Sequence, residues 1–317
     1  MVAAVTLVSA SAMAADLPRK AALLPPPPPP SPWDIAFGAS LASDYIWRGI
    51  SQSAHNPSVS AYTELRYNIN PMWQLYGGVA GNSINFPNRA AGEFDLFGGV
   101  RPTFGPLALD FGFQYYWYPG GQCFGGQFQN ADCILPSLPN GNWAKKNWSF
   151  WEVYNKGTWT VNDQWALGYT VFGTSNILNT GANGTYLSGS LKYTAPTTAA
   201  LWGTVGWFIS GEVGHQWLGT SDGFYGFGPG FVGGVPYTDY LTWNVGLAFT
   251  WKVFTLDLRY YDTDLSKADC NVYTSDHTAT FGAGNVTATN PGGLGSKWCD
   301  ARFVAKLSFD MTLGALK

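Results

Sequence analysis

Twelve segments of this chain alternate apolar side chains with small or polar ones, and this alternation constrains the fold more than any other feature. Side chains on a β-strand point alternately to its two faces, so each segment has one apolar face and one polar face. The segments are 33–48, 58–70, 73–85, 93–102, 107–118, 147–159, 164–174, 185–194, 203–217, 238–251, 254–263 and 299–309.

The charged residues indicate which face meets which solvent. Every Asp, Glu, Lys and Arg that we assign to a face of these segments falls on the polar one. A charge facing hydrocarbon at mid-depth costs roughly 2–4 kcal/mol, so the apolar faces are predicted to contact lipid. A soluble β-sandwich or lectin is the alternative. It would carry more charge, whereas only 12% of residues are charged here, about half of the ~25% usual in soluble domains.

The links between segments alternate between short and long along the chain, as they do in outer-membrane barrels. We therefore predict an all-β fold, a 12-stranded antiparallel transmembrane up-and-down β-barrel spanning 33–309. Short turns are expected on the periplasmic side and longer loops outside. An even strand number places both termini in the periplasm, and closure of the sheet removes unpaired edges.

The chain outside this barrel is predicted to serve export to the bacterial outer membrane. Residues 1–15 indicate a signal peptide for the Sec route, and the alternative is an apolar tail that is not cleaved. Residues 16–32 indicate a Pro-rich periplasmic spacer, and 310–317 form a C-terminal tail.

Four cysteines suit the oxidising compartment that such a signal reaches. Neighbourhood favours the disulfides Cys123–Cys133 and Cys270–Cys299, although three pairings are open. Their spacing matches no zinc motif, so no metal or cofactor is expected. A net charge of −3 and a pI near 5.5 argue against nucleic acid as a partner. No Ser-His-Asp pattern is recognisable, so no enzyme is predicted.

The polar faces supply candidate residues for the barrel interior, which we call the lumen. One interpretation is a water-filled channel, which we favour; the other is an interior closed by its own ion pairs and tyrosines. Either 119–146 or 264–298 could fold inward and constrict the lumen. The candidate lining residues are Asp44, Arg48, Glu64, Arg66, Glu93, Asp95, Arg101, Asp110, Glu152, Lys156 and Arg259.

Aromatic residues near the segment ends are predicted to form the girdle that sits at the lipid headgroups. The candidates are Tyr45, Trp47, Trp73, Trp117 and Trp251.

Several motifs resemble a known family. "SDYIWRGISQS", "EFDLFGGV", "YYWYPGG", "YTDYLTWNVGL" and "YYDTDL" are similar to those of the TorF-type porins, a bacterial outer-membrane family once described as proteins of unknown function. The similarity covers most of 33–309 and implies an outer-membrane barrel with pore activity. The cysteine-bearing loops look like additions to that pattern.

These observations favour a porin that lets small hydrophilic solutes or ions diffuse through a polar lumen while its exterior contacts outer-membrane lipid. The alternative is a non-conducting barrel whose outer loops bind a surface partner, as an adhesin or receptor does. An outer-membrane hydrolase is the least favoured class. Neither the solute nor the oligomeric state follows from the sequence.

Overall fold

The computed structural model describes residues 31–125, 133, 135–200, 203–226 and 231–316. The predicted signal peptide and all but the last residues of the spacer lie outside this described part.

Twelve long antiparallel strands form one sheet that closes on itself. They are β1 (Trp33–Ala42), β2 (Ser58–Asn70), β3 (Trp73–Asn82), β4 (Glu93–Phe104), β5 (Leu107–Trp117), β6 (Phe150–Thr160), β7 (Trp165–Thr174), β8 (Gly184–Thr194), β9 (Gly203–Leu218), β10 (Tyr240–Trp251), β11 (Phe254–Thr263) and β12 (Arg302–Thr312). Each strand pairs with the next, and β1 pairs with β12, which closes the barrel. A short strand, Thr198–Ala200, pairs with the start of β9. The predicted fold is confirmed.

The first strand ends earlier than predicted, at Ala42 rather than at residue 48. Asp44 accepts hydrogen bonds from the hydroxyls of Ser51 and Ser53, at 2.7 and 2.8 Å, and these bonds turn the chain away from the wall. The turned segment forms a hairpin in which Ile46–Trp47 pairs with Ile50–Ser51. We call residues 43–53 the inner hairpin.

The last strand ends later than predicted, at Thr312 rather than at residue 309. Thr312 lies opposite Ala36 in the pairing of β12 with β1, so these added residues help to close the barrel. The predicted tail is accordingly shorter than 310–317.

The two faces of the wall have opposite character, as the alternation predicts. Leu41 and Val213 on the outer face are 54% and 58% exposed, whereas Glu64 and Glu152 on the inner face are 4% and 0% exposed. An exterior of large apolar side chains is stable only against lipid, so this is a membrane barrel. Among the helices that the structure describes, none is long and apolar enough to cross a membrane.

The long links all lie at one end of the barrel, which we call the loop end; the opposite end is the turn end. Side chains from the different links pack together there into a hydrophobic core that includes Ile50, Phe86, Phe124, Ile177 and Trp298. One short helix, α1 (Lys267–Thr274), contributes Tyr273 to this core. The disulfides Cys123–Cys133 and Cys270–Cys299 both form as predicted and brace two of these links.

Glycine is required where an aromatic ring lies flat against the inner wall. A Cβ at Gly112 on β5 would overlap the ring of Tyr154 on the neighbouring β6. No atom lies within 4 Å of the position that a Cβ would take at Gly189 on β8.

We expect Gly112→Ala to destabilise the barrel by about 1–3 kcal/mol, because the buried Tyr154 ring must move against its neighbours. Gly189→Ala is the matched control and should change the free energy of unfolding by less than about 0.5 kcal/mol. Urea unfolding of both variants in lipid vesicles measures the difference. Equal stability of the two variants would contradict the prediction.

Candidate functional site

The tip of the inner hairpin reaches across the lumen to the far wall. Arg48 and Gly49 form the tip with φ values of 50° and 83°, the left-handed pair that a two-residue hairpin turn needs. The Tyr240 hydroxyl on β10 donates a hydrogen bond of 3.2 Å to the Arg48 carbonyl. A Cβ on Gly49 would overlap Thr242, so only glycine allows this close approach. The hairpin therefore plugs the lumen near the loop end.

Arg48 is the main anchor of this plug. Its guanidinium donates to Glu152 at 2.6 Å and to Gln216 at 2.9 Å, and its side chain is only 5% exposed. The rings of Phe172 and Tyr186 face the same cation at 4.9 and 4.8 Å. Arg48 thus contacts strands β6, β7, β8 and β9, so the tip is held by much of the opposite wall.

A second cluster holds the base of the hairpin. The His55 Nδ1 lies 2.9 Å from an oxygen of Asp44, and its Nε2 lies 3.1 Å from the Lys297 carbonyl. Both partners are acceptors, so both bonds form together only when the ring carries two protons. The combination of residues resembles a catalytic triad, but the hydroxyls of Ser51 and Ser53 bond to Asp44 and not to the imidazole. The cluster ties the hairpin to the link 264–301.

Tyr45 and Trp47 lie inside the barrel, so their predicted place in the outer aromatic girdle is wrong. The Tyr45 hydroxyl donates to Glu93 at 2.6 Å, and Trp47 packs edge-on against Tyr116 and Phe150. Burial, reinforced by Glu93, raises the pKa of the Tyr45 hydroxyl well above its ordinary value. The alternation fails here because the chain has left the wall.

The other three girdle candidates lie at strand ends with exposed side chains. Trp73 begins β3, Trp117 ends β5 and Trp251 ends β10. Their position is compatible with a girdle, and the role itself stays a prediction.

Below the plug, the predicted lumen charges are largely paired with one another. Glu64 accepts from Arg66 at 2.5 Å and from Arg101 at 2.7 Å, and Arg101 also bonds to Asp110 at 3.1 Å. On the other side of the lumen, Arg259 pairs with Asp257 at 2.9 Å. These arginines are 14–28% exposed, so solvent reaches them.

Three predicted lumen residues, Glu93, Asp95 and Lys156, have no partner of opposite charge within 4.0 Å among the described residues. Glu93 instead accepts from the hydroxyls of Tyr45 and Tyr118 and from Asn82. Asp95 is 6% exposed, and its Oδ1 makes no hydrogen bond to a described residue. The Lys156 ammonium lies over the Tyr154 ring, 4.4 Å from its centre. No group of three or more His, Cys, Asp or Glu in the described ranges is arranged to hold a metal.

A cavity of about 430 Å³ occupies the lumen under the hairpin. It extends from Asp44 and Tyr45 past Arg259 to Asp310, which is exposed near the turn end. Its wall mixes carboxylates, amines, hydroxyls and small side chains, which suits water and small polar solutes.

Sequence reasoning missed several residues that hold the plug, chiefly Gln216, Phe172 and Tyr240. Phe172 has the same parity on β7 as other inward residues, so the alternation could have placed it in the lumen. The signal for the inner hairpin was Arg48-Gly49 directly after Trp47, because glycine favours a turn.

The model of the family described as "Bacterial protein of unknown function (Gcw_chp)" matches residues 27–290. No curated protein matches the chain in sequence.

Among solved structures, the KdgM porin is 8% identical, with a TM-score of 0.40 over 87% of this chain and 98% of that one. LpxR from Salmonella typhimurium is 9% identical, with a TM-score of 0.42 over 87% and 99%. The outer-membrane OmpT of Vibrio cholerae is 11% identical, with a TM-score of 0.36 over 88% and 97%. At TM-scores below 0.5, these similarities do not bear on function.

The buried pair Arg48–Glu152 should be strongly coupled. Arg48→Met and Glu152→Gln should each lower the free energy of unfolding by about 3–5 kcal/mol, because each leaves a buried charge without its partner. The double variant should lose less than the sum of the two, as measured by urea unfolding in lipid vesicles.

The exposed pair Lys267–Asp300, with an N–O distance of 3.4 Å, is the control for this cycle. Lys267→Met and Asp300→Asn should show a coupling below about 1 kcal/mol. Additive losses at Arg48 and Glu152 would show that the ion pair does not hold the hairpin.

Proposed function

The chain belongs to the Gcw_chp family of bacterial proteins of unknown function, and we propose from its geometry that it is a gated outer-membrane porin. In this proposal small hydrophilic solutes or ions diffuse passively through the lumen when the inner hairpin withdraws from the far wall. The protein forms no covalent intermediate with the solute, and no residue is assigned a catalytic role.

The observation that carries the proposal is the polar cavity that ends at the hairpin. Tyr45 lines the cavity from above, and Asp257 and Arg259 line it from the side. A barrel that only anchored its loops would need no such space, because a small barrel can be filled by side chains.

The hairpin is suited to act as the gate because it does not belong to the wall. Within the described part of the chain, Ile46–Trp47 pairs only with Ile50–Ser51, so its withdrawal would break no hydrogen bond between barrel strands. The bonds that hold its tip come from the side chains of Arg48 and Tyr240. Because Arg66, Arg101 and Arg259 are already paired, the open lumen should select only weakly between cations and anions.

The proposal also includes the cellular location of the protein and its orientation in the membrane. The signal peptide would direct the chain to Sec export, the loop end would face outward, and both termini would lie in the periplasm. The motif similarity to TorF-type porins supports this assignment.

A second candidate is a barrel whose loop end binds a surface partner. The hydrophobic core at the loop end favours it. Phe86, Trp148 and Trp298 are buried in this core, which holds the loops in a fixed arrangement that a partner could recognise. The two functions are compatible, because a partner would bind the outer surface of the loop end while solutes would diffuse through the lumen.

Recordings in planar lipid bilayers test the proposal. The wild-type protein should show rare or small openings, and a variant with residues 46–51 replaced by a short Gly-Ser linker should show frequent openings of several-fold higher conductance. Replacing residues 281–286, which lie at the surface of the loop end, with the same type of linker is the control and should leave the conductance unchanged. The folded state of each variant is checked by its heat-modifiable migration. A folded hairpin variant without conductance would refute the channel.

A further inference from the structure

A second cavity, of about 320 Å³, lies outside the lumen at the loop end. Residues from the links 118–149, 219–239 and 264–301 line it, including Trp143, Tyr225 and Asn140. No described residue that lines it is charged, although the lumen below is rich in charge. Pro291 and Gly292 at its edge are exposed, so the cavity is accessible from solvent.

Asparagine amides converge on this cavity in a fixed arrangement. Asn142 donates to Asn271 at 2.7 Å, and Asn271 donates to Asn290 at 3.3 Å. Backbone carbonyls hold the outer members, since Asn140 donates to the carbonyl of Asp276 at 2.7 Å and Asn290 to that of Leu294 at 2.7 Å. An amide carbonyl can accept two hydrogen bonds, so this positioned network keeps capacity for a ligand.

Ser275 gives an independent indication of a ligand. It follows α1 in the left-handed conformation, with φ at 52°, where glycine is the favoured residue. It lines the cavity and is 7% exposed. A serine kept in a strained backbone conformation at a buried, polar position suggests that its hydroxyl contacts a ligand.

We infer that this cavity binds a neutral saccharide. Sugar hydroxyls can donate to amide carbonyls and accept from the Ser275 hydroxyl, and the flat apolar face of a pyranose can pack on the ring of Trp143 or Tyr225. The absence of charged lining residues disfavours acidic and basic sugars. A volume near 320 Å³ accommodates about one or two sugar rings. The inference is independent of whether the lumen conducts.

Saturation-transfer NMR on the full-length barrel tests the inference, in a detergent without a sugar headgroup. The probes are maltose, lactose and cellobiose, with sialyllactose and glucosamine as charged controls. At least one neutral disaccharide should bind with a Kd of about 10 mM or lower, and the charged sugars should bind more weakly. Comparing maltose with maltohexaose distinguishes a site for free sugars from a site for longer glycan chains.

Ser275→Gly is the informative variant, because glycine suits the backbone there and the barrel should stay folded. It should weaken the binding of the disaccharide roughly three- to tenfold through loss of one hydrogen bond. Thr280→Ala, in the same link but outside the cavity, is the matched control and should bind as the wild type does. The inference fails if no neutral probe binds, if charged sugars bind equally well, or if Ser275→Gly binds with unchanged affinity.

Discussion

Contact with hydrocarbon is the constraint from which the rest of this structure follows. Lipid cannot satisfy backbone N–H and C=O groups, so every wall strand must pair on both sides, and β1 must meet β12. Lipid also excludes charge from the outer face, so the charged side chains of the wall point inward. Confined there, they pair with one another, as Glu64 does with Arg66 and Arg101. The exclusion that shapes the exterior thus also produces the ion-paired lumen.

The wall could be predicted from the sequence because each of its residues has only two choices of face. Strand number, pairing order and the inward direction of Glu152 and Arg259 all follow from the period-two pattern and the charges. The disulfides Cys123–Cys133 and Cys270–Cys299 were also favoured by the sequence, because the two cysteines of each pair are neighbours in the chain. These features depend on local sequence and on one rule about lipid.

The plug and the loop core could not be predicted in the same way, because they depend on contacts between distant residues. The alternation continues through Tyr45 and Trp47, but hydrogen bonds to Asp44 take the chain off the wall before them. Nothing local to Arg48 reveals that Glu152 and Gln216 will lie within reach. The loop cavity likewise combines three links that share no sequence pattern.

The long reach of Arg48 also sets an order of assembly. Its side-chain partners stand 104 and 168 residues later in the chain, and Tyr240, which bonds to its carbonyl, stands 192 residues later. The inner hairpin therefore precedes all of these partners in the chain, and its tip can dock only once the wall from β6 to β10 has formed. Docking of the hairpin is therefore expected to be a late step in the folding of the barrel.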